Sequence, residues 1–341
     1  MAGPLRFRRS RQNWSRKRVE ESLLKPLDSK IGARITGGFD VPEAYSSCRF
    51  EMDNGDIALF AWKNDAREGY WLGNTQTPEV LWETDKYRFG HDAVPYGISR
   101  GAQRELLGEI EERMPWVSSY PYLSWFFLPV LLSKDGRKTV PDFFRENAAG
   151  FPDATHDDAA SFYEEFLSTG ILDDYRYEMS TKVGTSSELD LTRMASAMSE
   201  FTAARILDEA GYEITPEIGV DTGHSLDFAA ESSDGVRDDP LLIEVTRPLP
   251  PDRRSANCPV EAVHETVDAK SSGQLRDHDA VLFVDCSNFG DDDWESVVES
   301  KPSLSHKPAV VFRTRPDRDS HTRAYLDGFT SLNINSVVDW V

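Results

Sequence analysis

The chain has 341 residues, of which 39% are hydrophobic, so it is long enough for two domains with cores of their own. Its 59 acidic residues outnumber 38 basic ones, for a net charge of −21, and only 11 of the basic residues are lysine. Acids spread along a whole chain keep its surface hydrated at high salt, where screening weakens their mutual repulsion. The composition predicts a protein of a halophilic cytosol. The alternative is an ordinary acidic protein with a cationic partner, and the charge does not exclude nucleic acid as a ligand.

The cysteines and the hydropathy exclude several classes of protein. Cys48, Cys258 and Cys286 are odd in number and widely spaced, which fits neither a disulfide framework nor a zinc-ligand pattern. The longest apolar run, residues 120–132, is too short and too interrupted by proline to span a bilayer. The arginine pair at positions 8–9 is not followed by an apolar segment, so no export signal is predicted. We expect a cytoplasmic protein with no membrane segment and no small-molecule cofactor.

Residues 1–20 form a concentrated basic segment in this acidic chain. Seven arginines and lysines precede Glu20, and no acid does. One interpretation is a flexible arm that contacts phosphate groups. The other interpretations are a flexible tail and a segment that pairs with the protein's own acidic surface.

Residues 21–185 are predicted to form an α+β domain, with a small antiparallel sheet and several helices. An Asn-Gly turn within residues 50–62 predicts a hairpin, and residues 70–72 can add a third strand. Residues 116–127 concentrate aromatic side chains with no basic residue among them, which favours a buried helix over a base-stacking surface. Further helices are predicted at 96–112, 141–150 and 157–169. No catalytic pattern is found in this half.

Residues 186–341 are predicted to form an α/β domain. Ser186 or Ser187 can cap a helix over 188–210, which Gly211 would end. The segments that follow are strands at 213–220, 225–230 and 241–246, a helix at 259–275, a strand at 280–285, a helical piece near 292–299 and a strand at 309–313. The predicted order is therefore αβββαβ, followed by α and β.

Two acids, Asp227 and Glu244, lie at the centre of this domain. Each lies between two apolar residues of a predicted strand, so its side chain points away from the face that carries the apolar ones. The polar linker 231–240 predicts a hairpin that brings the two carboxylates together on one face. Two such carboxylates suit Mg²⁺, which takes few, rigid oxygen ligands.

This order of elements, with these polar residues, resembles the restriction-endonuclease-like core of the PD-(D/E)XK nuclease superfamily. In that superfamily a helix carries a Glu, the second strand supplies an Asp, and the third supplies (D/E)-x-Lys. The matching residues here are Glu200, Asp227 and Glu244, and the resemblance covers about residues 188–290. It implies hydrolysis of phosphodiester bonds in DNA or RNA, with Mg²⁺ or Mn²⁺ bound by these three acids.

The sequence departs from the superfamily at Thr246, which occupies the position of its lysine and cannot supply a positive charge. Some members place the lysine on the following helix, and here Lys270 and Gln274 continue the apolar stripe of that predicted helix. The resemblance then implies that Lys270 complements negative charge, that Gln274 orients the water or the phosphate, and that Glu200 helps to hold the metal or its water. Arg247 is the weaker substitute, because its side chain would point to the opposite sheet face.

Each of these residues also has an ordinary structural explanation. Glu200 can be a solvated helix charge, Asp227 and Glu244 can be acids at a sheet rim, and Lys270 can extend past the end of a core stripe. His224 is either a base or a turn histidine. The alternative functions are a catalytically degenerate protein of the same fold that binds nucleic acid or a protein, and an α/β scaffold protein of unrelated fold.

Further segments resemble a family of uncharacterised haloarchaeal proteins. They are residues 49–62, 127–130, 131–136 and 221–227. This resemblance spans most of the chain, agrees with the acidic composition and implies no established activity.

Overall fold

The computed structural model describes residues 5–75, 78–81, 94–184, 186, 188–219, 225–232, 239–251, 258–272, 275, 279–316 and 321–341. The chain divides into two compact units. The first comprises Met1–Val140 with Gly184–Glu188, and the second comprises Pro141–Val183 with Leu189–Val341.

This division differs from the predicted boundary between residues 185 and 186, because the helices after Pro141 pack on the C-terminal unit. The ring of Tyr163 packs edge-on against Phe201, with centroids 6.5 Å apart. Arg205 donates a hydrogen bond to the carbonyl of Phe162 at 2.8 Å. These contacts join residues far apart in sequence, so no local sequence pattern predicts them.

The first unit contains a five-stranded antiparallel sheet in the order β1-β5-β4-β3-β2. The predicted Asn-Gly hairpin is present as β3 and β4. The bounds in chain order are β1 Phe7–Ser10, α1 Arg16–Val19, α2 Lys25–Ile31, β2 Ala33–Gly37, β3 Tyr45–Met52, β4 Ile57–Lys63, β5 Gly69–Gly73, α3 Tyr96–Arg113 and α4 Pro121–Leu131. The helix α5, Gly136–Glu146, begins in the first unit, and its residues from Pro141 belong to the second. As predicted, the aromatic segment includes a buried helix, since α4 buries Phe126 and Phe127.

The basic segment 1–20 is not the predicted flexible arm where the structure describes it. The strand β1 pairs with β5, and Leu5, Phe7 and Trp14 are buried. The indole N–H of Trp14 donates to the hydroxyl of Ser10 at 3.0 Å. Apolar residues alternate with the arginines at the start of this segment, and that strand pattern outweighs its charge.

The second unit contains a seven-stranded mixed sheet in the order β12-β11-β10-β9-β8-β7-β6. The bounds are α6 His156–Leu167, α7 Arg176–Val183, α8 Leu191–Glu209, β6 Tyr212–Gly219, β7 Ser225–Ser232, β8 Leu241–Thr246, α9 Pro259–Ser271, β9 Val281–Asp285, α10 Asp291–Ser300, β10 Ala309–Arg315, β11 His321–Asp327 and β12 Asp339–Trp340. Strands β6, β7 and β8 are antiparallel, whereas β8, β9 and β10 are parallel. The predicted order from α8 to β10 is confirmed, and β11 and β12 were not predicted.

The helix α8 begins later than the sequence predicts. Its cap is Asp190, whose carboxylate accepts the N–H of Arg193 at 3.1 Å, rather than Ser186 or Ser187. It ends where predicted, before Gly211, whose φ of +84° favours glycine. The helix packs against β6, β8 and β9. No helix in the described part of the chain is long and apolar enough to cross a membrane.

A buried ion pair joins the ends of the parallel strands β8 and β9. Arg247 and Asp285, one residue beyond the last β8–β9 register pair, have side chains 2% and 0% exposed. The Nε of Arg247 donates to Oδ2 of Asp285 at 3.0 Å, and its Nη2 donates to the same oxygen. The other oxygen of Asp285 accepts the N–H of Ser287 at 2.8 Å.

Replacing Asp285 with Ala should lower the free energy of unfolding by about 3–5 kcal/mol, because it leaves the guanidinium of Arg247 buried without its partner. As a control, Glu295→Ala removes an exposed partner of Arg323 and should cost less than about 1 kcal/mol. Denaturant unfolding measures both variants. Equal losses would contradict the assignment of Arg247 and Asp285 as a buried pair.

Candidate functional site

The predicted hairpin is present as β7 and β8, and it brings Asp227 and Glu244 together. Phe228 lies opposite Ile243, so the next residues in the register are Asp227 and Glu244. The backbone N–H of Val245 donates to Oδ2 of Asp227 at 2.8 Å. Burial and then the charge of Asp227 raise the pKa of Glu244 to about 7. The two carboxylates are therefore electrostatic neighbours.

A third strand acid, Glu217, joins them from β6. Register pairs on either side place Glu217 opposite Asp227. Its φ of +58° lies in the left-handed region, which is unusual for a strand residue with a side chain. One carboxylate oxygen from each of Glu200, Glu217 and Asp227 lies within 4.8 Å of the others. Three acids from β6, β7 and α8 thus converge.

Lys182, near the end of α7, lies among these three acids. Its Nζ forms ion pairs with Glu200 and Glu217 and lies 3.6 Å from Oδ1 of Asp227. Burial alone would lower the pKa of Lys182, but the charges of Glu200 and Asp227 raise it above its ordinary value. The ammonium group therefore stays charged and offsets part of the negative charge of the cluster.

Glu200 projects from α8 with its side chain 14% exposed. Burial and the charge of Asp227 raise its pKa to about 8, although Lys182 opposes the shift. Burial also raises the pKa of Asp227, against the effects of Lys182 and the N–H of Val245. These acids hold protons unusually tightly because water does not solvate their charged forms fully.

Lys270 reaches the site from α9 and donates a hydrogen bond to Oε1 of Glu244. Glu244 is 1% exposed, and its Oε2 has no hydrogen-bond partner among the residues that the structure describes. A backbone hydrogen bond from Asp227 also lowers the pKa of this carboxylate. The carboxylate of Glu244 is thus the ion-pair partner of Lys270.

Two of the remaining candidates lie within the described residues. Thr246 is buried and supplies no charge, and Arg247 is engaged with Asp285. Gln274 and His224 lie outside the described residues, so their predicted roles stay predictions.

The structure thus brings Glu200, Asp227, Glu244 and Lys270 to one site and adds Lys182 and Glu217, which the sequence analysis missed. A signal for Lys182 did exist. Between residues 139 and 300 the chain has only two lysines, Lys182 and Lys270, although it has many arginines there. With all six groups ionised, four carboxylates and two ammonium groups leave two negative charges, which is the charge that one divalent cation neutralises.

The fold and the site define an α/β protein with a largely half-buried cluster of acids and lysines on a mixed sheet. The chain belongs to a family of unknown function, DUF5784, whose model matches residues 2–334. This membership confirms the resemblance of the whole chain to an uncharacterised family. Comparison with curated proteins found no match. Comparison with solved structures found none either.

The raised pKa of Glu200 predicts how stability changes with pH. In the folded protein Glu200 keeps its proton up to about pH 8, whereas the unfolded chain releases it near its ordinary value of 4.5. Between these values the folded state binds the extra proton, so the free energy of unfolding should fall as pH rises, by at most about 1.4 kcal/mol per pH unit for this group.

Glu200→Gln should therefore flatten the decline in stability between about pH 5 and about pH 8, because its amide does not titrate. The control is Glu213→Gln, which changes an exposed acid on β6 and should keep the slope of the unaltered protein. Urea unfolding at several pH values measures both. A Glu200→Gln slope equal to that of the unaltered protein would show that Glu200 does not carry the effect.

Proposed function

We propose that the second unit is a divalent-cation-dependent phosphodiesterase that cleaves nucleic acid. The observation that carries the proposal is the convergence of Glu200, Asp227, Glu244 and Lys270 on one site. These are the described residues to which the PD-(D/E)XK resemblance assigns roles, and they come from α8, β7, β8 and α9.

The topology supports the same proposal. The run α8-β6-β7-β8-α9-β9 gives a helix, three antiparallel strands, a helix and a strand parallel to the third. This agrees with the αβββαβ order on which the resemblance rests. Function depends on the site and not on the fold alone, so the topology adds weight only because the acids lie at the matching positions.

The donor set fits a divalent cation of the Mg²⁺ or Mn²⁺ type. Glu200 and Asp227 would hold it through carboxylate oxygens, the ligands that such hard cations prefer, together with Glu217, whose oxygen lies within 4.8 Å of theirs. Glu244, beside Asp227 on the next strand, would be the fourth acid. Oε2 of Glu244 is a buried acceptor without a hydrogen-bond partner in the described part of the chain, and a cation would satisfy it. Burial and the charge of Asp227 raise the pKa of both Glu200 and Glu244, and a bound cation would offset that charge.

When bound, the cation supplies positive charge to the phosphate and lowers the pKa of a coordinated water. The chain's own residues provide the rest of the chemistry. Lys270 holds Glu244 in place and adds a positive charge, which compensates for Thr246 at the position of the superfamily lysine. Lys182 holds Glu200, Glu217 and Asp227 together against their mutual repulsion.

A second candidate function is supported by Lys182. Its ammonium group contacts the three carboxylates that would otherwise gather around a cation. If Lys182 permanently takes the cation's place, the unit is a catalytically degenerate protein of the same fold that binds nucleic acid or a protein. The two candidates differ in whether cleavage occurs.

Cleavage is tested with the full chain in molar KCl with Mg²⁺ or Mn²⁺ and single- and double-stranded DNA and RNA. Asp227→Asn and Lys270→Met should each reduce the cleavage rate by at least about 100-fold, because each removes charge that stabilises the transition state. Glu213→Gln on β6 is the control and should cleave at the full rate. Cleavage that Asp227→Asn does not alter would place the activity outside this site. Cation binding without cleavage would favour the degenerate protein.

Cation binding itself should depend on pH and on Lys182. Mn²⁺ affinity, measured by calorimetry, should rise up to about pH 8, because protons on Glu244 and Glu200 must leave before the cation binds. Lys182→Met should raise the affinity by about tenfold, since it removes a competing positive charge. Lys301→Met, at the end of α10, is the control and should change nothing. Unchanged or weaker binding by Lys182→Met would show that the ammonium does not compete.

A further inference from the structure

A cavity of about 290 Å³ lies in the second unit, away from the carboxylate cluster. Its walls come from the segment after α5, the start of α8 and the residues that follow β8. None of the six acids and lysines of the candidate site lines it. We propose that this cavity binds a small organic anion, with a phosphate or carboxylate group on an apolar body. The proposal does not rest on the nuclease proposal.

The first argument is the guanidinium of Arg247, which lies at the cavity wall. Its Nε and Nη2 are engaged with Asp285, but its Nη1 is buried and has no hydrogen-bond partner among the described residues. A buried charged donor without an acceptor is costly. An anionic oxygen in the cavity would supply that acceptor.

The second argument is Asn288, which shares the wall with Arg247. Its Nδ2 donates to the carbonyl of Pro248 at 2.8 Å, which fixes the amide and leaves Oδ1 facing away from that bond. Within the described chain Oδ1 is buried and unpartnered. The wall thus offers one unused donor, which an anionic oxygen satisfies, and one unused acceptor, which needs an O–H or N–H group of the ligand.

The charged groups, the lining and the volume of the cavity further restrict the class of ligand that it can bind. Two arginines lie at the wall, and each has one carboxylate partner: Arg145 pairs with Glu146 at 3.5 Å, and Arg247 pairs with the buried Asp285. The rest of the wall has polar and apolar parts, and the apolar part includes Phe151 and the prolines and leucine of residues 248–250. The volume is at the small end of the range for ligand pockets. A small anion with a flat apolar part matches all three properties.

The backbone at the wall is also unusual. Ala148, Ala149 and Gly150 have φ values of +42°, +51° and +91°, all left-handed. A Cβ on Gly150 would lie 3.0 Å from Nη1 of Arg247 and 2.9 Å from Cβ of Ala195. Only glycine therefore lets this turn approach the guanidinium. Strained backbone of this kind is concentrated at ligand sites.

The test uses the full chain without divalent cations, so that its outcome is separate from that of the cleavage assay. The probes are phenyl phosphate, benzoate and the neutral analogue benzamide, each titrated by calorimetry. Phenyl phosphate, benzoate or both should bind, and benzamide should bind at least about tenfold more weakly, because it offers no charge to Nη1. The stronger of the two anions identifies the preferred group. Benzamide binding as tightly as the anions, or no binding of any probe at millimolar concentration, would overturn the proposal.

Substitutions at the cavity wall test whether the anion binds in this cavity. Arg247 is unsuitable because its loss would break the buried pair with Asp285. Thr192→Phe instead enlarges an exposed side chain at the cavity wall and should weaken anion binding by at least about tenfold, because the ring fills the cavity. Ser196→Phe, one turn along α8 and outside the wall, is the matched control and should bind normally. Equal binding by Thr192→Phe and the unaltered protein would contradict the assignment to this cavity.

Discussion

Burial of like charges is the constraint around which the second unit is arranged. Glu244 is almost fully buried in the sheet, beside Asp227 on the next strand, and ionised carboxylates in such a place repel each other and lack hydration. The unit meets this cost with two ammonium groups that come from outside the sheet, Lys182 from α7 and Lys270 from α9. The helices on both sides of the strand sequence are therefore tied to β6, β7 and β8 by charge as well as by apolar packing. Removing either lysine would leave carboxylates that must take up a proton or bind a cation.

The need for positive charge beside these carboxylates also accounts for the place of residues 141–183 in the second unit. Residues 141–183 come before Gly184–Glu188, which belong to the first unit, yet they are part of the second unit. They supply Lys182 to the acids and the aromatic ring of Tyr163 to the buried face of α8. The elements from α8 to β9 alone would lack both the ammonium group of Lys182 and the ring of Tyr163 that packs on α8. The unit is thus larger than the segment that resembles the nuclease core.

Local sequence patterns predict much of this arrangement, but they do not predict the contacts between residues that are distant in sequence. Alternation of apolar and polar residues predicts β7 and β8, and the polar linker predicts their pairing, so Asp227 and Glu244 could be placed together from the sequence. The stripe on α9 placed Lys270 correctly for the same reason. Glu217 was not predicted as a site residue, because its position depends on a left-handed φ that only the folded sheet imposes. Strand β1 was not predicted at the basic start of the chain, because the interpretations of that segment rested on its charge and not on its alternation of apolar residues and arginines.

The left-handed residue of β6 has a second consequence, which concerns association between molecules. Strand β6 is an edge of the seven-stranded sheet, and exposed edges invite pairing with strands of other chains. Pro216 removes one backbone donor from this edge, and the turned backbone of Glu217 interrupts its regular row of N–H and C=O groups. The exposed acids Glu213 and Glu217 add charge along the same strand. The irregularity that delivers a carboxylate to the site therefore also makes this edge a poor template for aggregation.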